Sequence, residues 1–309
     1  MDNYFFIIKL AMTLSKNEIN FYRKNGYLVK ENLISKKEIN SLLSLTNKIV
    51  SKEKRRKNKI KNQGGTQNYK NYHFVYNSNS LKNKQILRLN NPQNKEKKFY
   101  DISRNKKIIN IVKNLIGGTV RFHLGKLNFK LPNKKGGEIA WHQDWAFYPH
   151  TNDDLITVGI YLEKCNEENG PLKVIPGTHL KSVHSHHGKD GNFIGMIKSI
   201  KNKVNINKQK SLLGNEGTVV FFHCRTVHGS GLNETKNTRP LLLFGYRACD
   251  ALPLINDGNS HHDVDYENYE KNIIVGKKTL IPRCKEVPVI IPLPKKKHYV
   301  SIYQLQKNK

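Results

Sequence analysis

A mainly β protein, a β-sandwich carrying helices packed on it ahead of the strands, is what this 309-residue sequence predicts. Three observations carry that reading. Helix-start signals and apolar stripes at helical spacing occur before residue 118. Period-two alternation sets in at Thr119. Beyond it, short apolar runs separated by Gly, Pro and Asn follow one another with no strand–helix–strand rhythm.

The helical part comes first. Ser15-Lys16-Asn17-Glu18 and Ser35-Lys36-Lys37-Glu38 both have the form in which a Ser caps the helix and the Glu three residues on reaches back to the cap amide. After the second box, Ile39, Leu42, Leu43, Ile49 and Val50 share one face. Between the two helices, Gly26-Tyr27-Leu28-Val29 reads as a turn and a short extended piece. Residues 52–70 have little apolar periodicity and contain Gly64-Gly65, which predicts a mobile basic loop. Ile108, Ile109, Val112, Leu115 and Ile116 form a further helical stripe, stopped at Gly117-Gly118.

In the strand region, Val120, Phe122 and Leu124 alternate with Arg121, His123 and Gly125. Leu127, Phe129 and Leu131 are then apolar, with Lys126, Asn128 and Lys130 on the opposite face. Further strands are expected at 155–163, 172–175, 217–223 and 240–247. The expected organisation is an N-terminal helical elaboration over 1–118, part of the same domain as a catalytic core over 119–294, followed by a basic tail at 295–309.

Composition excludes several classes. The formal net charge is +30, but the cations are mostly Lys interleaved with Asn along the whole chain. Only Lys52–Lys61 and Lys295-Lys296-Lys297 are dense. No zinc finger or helix-turn-helix pattern accompanies them, so no specific nucleic-acid partner is expected. Cys165, Cys224, Cys249 and Cys284 stand alone, which fits a reducing, cytoplasmic setting. No stretch of about 18 apolar residues exists to span a membrane. Tyr4–Ile8 is too short and lacks the flanks of a signal peptide, and Met12 is a candidate start.

Chemistry concentrates at Trp141-His142-Gln143-Asp144-Trp145. On extended backbone, His142 and Asp144 project to the same side, so an imidazole and a carboxylate could meet one ion. A distant histidine would complete a two-His-one-carboxylate set. His228, after the apolar run 218–222 and before Gly229-Ser230-Gly231, is the best placed. His223 is its local rival, and His150, His179, His186 and His187 fall in expected loops. Eleven residues after His228, across a polar loop, comes Arg239. A guanidinium there could hold the far carboxylate of a dicarboxylate chelating the metal, with Ser230 adding a hydroxyl. Trp141, Trp145, Phe147 and Tyr148 are candidates for the surrounding wall. Loops 52–80 and 181–210, with His184, His186, His187 and Lys189, are candidates for substrate selection.

The sequence resembles the phytanoyl-CoA hydroxylase (phytanoyl-CoA dioxygenase) family of iron(II)/2-oxoglutarate oxygenases from about Leu14 to about Pro294. The resemblance rests on Phe21–Val29, Phe129-Lys130-Leu131-Pro132, Trp141–Asp144, Glu168–Leu172, Ile175–His179, His228–Asn233 and Arg239-Pro240. It implies a double-stranded β-helix, the cupin-like jelly roll, with the metal between its sheets. It also implies His142, Asp144 and His228 as iron(II) ligands, with Arg239 and Ser230 on 2-oxoglutarate. Lys126 and Asn128 would be further co-substrate contacts, provided the strand register turns them inward. Dioxygen is the implied third reactant. Because Asp144 is present where related halogenases have a small residue, hydroxylation of an unactivated carbon in a small organic substrate is expected, with succinate and CO2 as co-products. The competing readings are a cupin-like metal enzyme without 2-oxoglutarate and a basic, non-catalytic binding protein on the same scaffold. Oligomeric state is not legible.

Overall fold

The computed structural model describes residues 14–55, 66–69, 72–77, 85–255, 269–294 and 301–306. Both capping boxes form as the sequence predicts. Helix α1 (Lys16–Asn25) is capped by Ser15, and Gly26 ends it at φ 77°, a left-handed conformation that suits glycine. Strand β1 (Tyr27–Lys30) follows at once.

Helix α2 (Lys36–Lys54) runs three residues into the expected loop. Its apolar stripe ends in Glu53, a buried carboxylate that accepts the Tyr76 hydroxyl. That partner lies 23 residues away, so local periodicity could not reveal it. Thr66–Tyr69 is also no loop: it is strand β2, paired with β3 (Tyr72–Tyr76), which pairs with β4 (Ile86–Asn90). Residues 56–65 lie outside the described residues, as do Tyr4–Ile8, Met12 and Lys295–Lys297. Helices α3 (Lys97–Ile102) and α4 (Lys106–Leu115) complete this part. The first 118 residues therefore supply four strands as well as helices.

The major sheet has nine strands. Its order is β1, β10 (Val219–His223), β7 (Leu155–Tyr161), β12 (Arg239–Arg247), β5 (Val120–Lys130), β4, β3, β2, with β13 (Ile273–Val275) also on β5. The minor sheet has four strands in the order β6 (Ile139–His142), β11 (His228–Ser230), β8 (Leu172–Val174), β9 (Lys210–Leu212). Every pairing is antiparallel. The main core lies between the helices and one face of the major sheet, where Ile39, Ile108, Val112, Leu127, Val158 and Phe244 are fully buried.

Strand β5 places the polar residues that matter. The register on β12 shifts at His123: Gly245 faces Leu124, but the next residue, Tyr246, faces Phe122. The extra residue is a β-bulge, and it reverses the alternation of the strand. Phe122 thus packs with Leu127 and Phe129 in the main core, while Leu124 joins Lys126 and Asn128 on the opposite face.

A short helix, α5 (Ile302–Leu305), ends the described chain. The region read as a basic tail is thus anchored there: Ser301, Ile302, Tyr303 and Gln306 are buried. No helix among the described residues is long and apolar enough to cross a membrane.

Candidate active site

The minor sheet brings the three metal-binding candidates together. His142 ends β6 and His228 starts β11, and the two face each other directly across the antiparallel pair. Their rings lie 4.1 Å apart between centroids. Gln143 keeps extended backbone (φ −116°, ψ 131°), after which the chain tightens into a 3-10 turn at Asp144. The Asp144 side chain therefore lands beside His142, with Oδ1 at 3.7 Å from His142 Nε2 and 3.8 Å from His228 Nε2. The three donor atoms all lie within 4.8 Å of one another, and all three residues are buried. Among the described residues no other group of three His, Cys, Asp or Glu side chains has such spacing.

Hydrogen bonds set the orientation of each donor. His142 Nδ1–H donates to Ala140 O and His228 Nδ1–H to Thr226 O, each at 2.8 Å. A carbonyl can only accept, so both rings carry a proton on Nδ1 and turn Nε2 toward Asp144. Thr157 donates its hydroxyl to Asp144 Oδ2 at 2.7 Å. Burial, and then the nearby His228, hold His142 well below the usual histidine range, so it stays neutral. Burial alone would raise the Asp144 carboxyl; the two imidazoles, Lys126 and the Thr157 bond outweigh it and bring the group down to about 2. Two imidazoles and one carboxylate on one side of an open space are a donor set suited to iron(II).

The major sheet supplies the rest of the cavity. Arg239, at the start of β12, faces Lys130 across the strand pair. Its Nε and Nη2 donate to Asn169 O (2.9 Å) and Gly170 O (2.5 Å), while buried Nη1 has no hydrogen-bond partner among the described residues. Ser230 lies nearby, but its Oγ is already engaged by Lys130 Nζ at 2.6 Å. Lys130 also donates to Gly137 O at 2.5 Å and to Gly231 O at 2.7 Å, so its three N–H groups all have partners. An uncommitted guanidinium N–H, an ammonium and a hydroxyl on one wall fit a carboxylate. Asn128 and Lys126 do face the cavity. Asn128 accepts from Arg88 Nε at 2.8 Å, and burial followed by the Arg88 charge lowers Lys126 to about 8.

Several expected neighbours lie elsewhere. Phe147 and Tyr148 line the cavity, whereas Trp145 is buried in an adjoining core with its indole N–H on Pro288 O, and Trp141 packs toward Ile175 and Val227. His223 sits 3.8 Å from Asp153 and stacks near His179, in a separate cluster. None of His184, His186, His187 and Lys189 lines the cavity. His186 is instead a buried acceptor for the Gln143 N–H at 2.8 Å, and His187 Nε2 faces Leu293 O.

This two-sheet arrangement recurs in solved structures. The structure of EctD from S. alaskensis with 2-oxoglutarate and 5-hydroxyectoine superposes with a TM-score of 0.63 at 18% identity, covering 91% of this chain and 89% of that one. The carbocyclase SnoK from nogalamycin biosynthesis gives 0.60 at 21%, covering 80% and 89%. These likenesses establish the double-stranded β-helix. In sequence, the profile of the phytanoyl-CoA dioxygenase (PhyH) family matches residues 22–241. The chain belongs to the phytanoyl-CoA dioxygenase family. Within it, a protein of Stutzerimonas stutzeri named a probable alpha-ketoglutarate-dependent hypophosphite dioxygenase is 37% identical over 72% of this chain and 77% of its own length. Human peroxisomal phytanoyl-CoA dioxygenase is 26% identical, over 84% and 75%. With the family comes the enzyme class, an iron- and 2-oxoglutarate-dependent dioxygenase.

Six residues that line the cavity were not singled out from sequence: Lys130, Arg88, Thr157, Ser301, Ile302 and Tyr303. Lys130 shares a face with Lys126 and Asn128, so alternation alone could have added it. Arg88, Thr157 and the residues 301–303 reach the cavity from other strands and from the far end of the chain, and nothing local marks them.

Proposed function

We propose that this enzyme hydroxylates an unactivated carbon of a small organic substrate bearing an anionic group, with His142, Asp144 and His228 holding iron(II). Arg239 binds the distal carboxylate of 2-oxoglutarate, Lys130 adding its positive charge and Ser230 assisting through its hydroxyl. One observation carries the reading: a three-donor metal cluster and an arginine with a buried, uncommitted N–H line the same cavity.

Bound iron with 2-oxoglutarate and dioxygen supplies an oxidant for unreactive C–H bonds and leaves succinate and CO2. The chain does the rest. The Nδ1–H bonds keep both imidazoles aimed inward, and Thr157 keeps one Asp144 oxygen free for the metal. Leu124, Phe147, Phe222, Leu241 and Leu243 wall the cavity with apolar surface that keeps water away from the reacting carbon. Arg88, Lys126, Lys130 and Arg239 line it, while Asp144 is its single acid among the described residues. That excess of positive charge favours an anionic substrate even after 2-oxoglutarate has taken its share. Hypophosphite, for which the 37% identical relative is named, is itself a small anion.

The test is succinate release from 2-oxoglutarate with iron(II) across a panel of small carboxylates and phosphonates, with their uncharged esters as controls. At least one is expected to stimulate release by wild type and none by Asp144→Ala. Equal turnover by Asp144→Ala would remove the metal assignment, and stimulation only by uncharged compounds would remove the anionic one.

A further inference from the structure

Strand β6 forms one edge of the minor sheet, with β11 on its inner side only. An edge strand leaves backbone groups unpaired, and a strand holding a metal ligand at its tip cannot tolerate fraying. The other edge of β6 is closed by two distant segments. Ile197 N–H donates to Trp141 O at 2.9 Å, and Gln306 Oε1 accepts from Ala140 N–H at 2.8 Å. The second contact bears directly on the metal cluster, because Ala140 is the residue whose carbonyl takes the His142 Nδ1–H.

Gln306 is itself held at both ends. Its Nε2 donates to Gly195 O at 2.7 Å, and its side chain is buried. Gly195 adopts φ +66°, and a Cβ there would stand 2.9 Å from both Leu305 Cδ1 and Phe147 Cζ. Only glycine lets the terminal helix approach this closely. The same short segment sends Ser301, Ile302 and Tyr303 into the cavity wall, where the Tyr303 ring lies under the Arg88 guanidinium at 4.9 Å.

We propose that Gln306 is a positioning residue for the metal centre: it pins Ala140 through its N–H, and the carbonyl of the same residue, one peptide unit on, fixes the tautomer and aim of His142. The inference rests on the reading of His142, Asp144 and His228 as metal ligands. It gives the last few residues of the chain a part in the active site that their sequence does not suggest. Partners that orient a metal-bound histidine are typically worth about 10- to 100-fold in metal affinity.

Cobalt(II) serves as the probe, titrated into metal-free protein and followed by its visible absorption. Gln306→Ala is expected to weaken cobalt binding roughly tenfold. In the metal-free variant, the imidazole Nδ1–H signal of His142 in a nitrogen-15 NMR spectrum should broaden or vanish. Gln306→Glu keeps an acceptor for Ala140 but sets a buried carboxylate oxygen where the bond to Gly195 was, so it should bind cobalt more tightly than Gln306→Ala and less tightly than wild type. Wild-type cobalt affinity in Gln306→Ala would overturn the proposal. So would equal weakening by the two variants, because the docking bond to Gly195 would then be what matters. Failure of wild type to bind cobalt would instead overturn the metal-site reading on which the proposal stands.

Discussion

Thr157 donates its hydroxyl to one oxygen of Asp144 at 2.7 Å, and the other oxygen faces both imidazoles. Thr157 sits on β7 in the major sheet, whereas His142 and His228 belong to the minor sheet. The bond thus fixes one ligand from the opposite layer and divides the work of the carboxylate between its two oxygens.

Removing that bond should cost metal affinity without removing a ligand. Thr157→Val keeps the branched shape and deletes the hydroxyl. Iron(II) or cobalt(II) binding is expected to weaken roughly tenfold, measured by calorimetric titration. Unchanged affinity would mean that the backbone turn at Asp144 holds the carboxylate by itself.

Arg239→Ala should separate co-substrate binding from metal binding. Charge-assisted hydrogen bonds are worth about 1.5–3 kcal/mol, so the dissociation constant of 2-oxoglutarate should rise roughly 10- to 100-fold while the metal stays bound. Melting temperature should fall as well, because the Asn169 and Gly170 carbonyls lose their donors. Normal 2-oxoglutarate affinity in this variant would move the clamp elsewhere in the cavity.

Acid should destabilise the fold before its carboxylates titrate. Burial brings His150 down to about 4 and His186 down to about 3 in the folded protein. The unfolded chain takes up these protons near pH 6.5, so it binds more protons than the folded state below that pH. The stability these neutral histidines contribute is complete above pH 6.5 and is lost as pH falls toward their folded values. The slope is about 1.4 kcal/mol per pH unit for each. Melting temperatures at pH 7, 6 and 5 should decline, and less steeply in His186→Gln, which keeps an acceptor for the Gln143 amide. A flat profile would contradict the burial of these rings.

The cluster of His142, Asp144 and His228 was legible because their spacing and flanking residues are local, and Arg239 because its distance from His228 is short. Legibility failed where placement depends on distant pairing. Arg88 reaches the cavity only because β4 pairs with β5, placing it opposite Asn128. Glu53 extends a helix because Tyr76 waits for it, and Gln306 matters because of where Ala140 and Gly195 lie. The bulge at His123 left a trace, since the apolar residues of β5 skip a step between Leu124 and Leu127. Read as continuous alternation, that skip hides which face Leu124 takes.

The histidines share one device. His142, His150, His186 and His228 each give their Nδ1–H to the carbonyl two residues earlier in the chain. The acceptor is main chain, present whatever side chain occupies positions 140, 148, 184 and 226. Each ring is therefore tied to the main chain two residues back, whichever side chain stands at that position. Substitutions at Ala140 or Thr226 that preserve the local path should leave the proton on Nδ1. Nε2 of His142 and of His228 can thus keep facing Asp144 while the side chains at 140 and 226 vary.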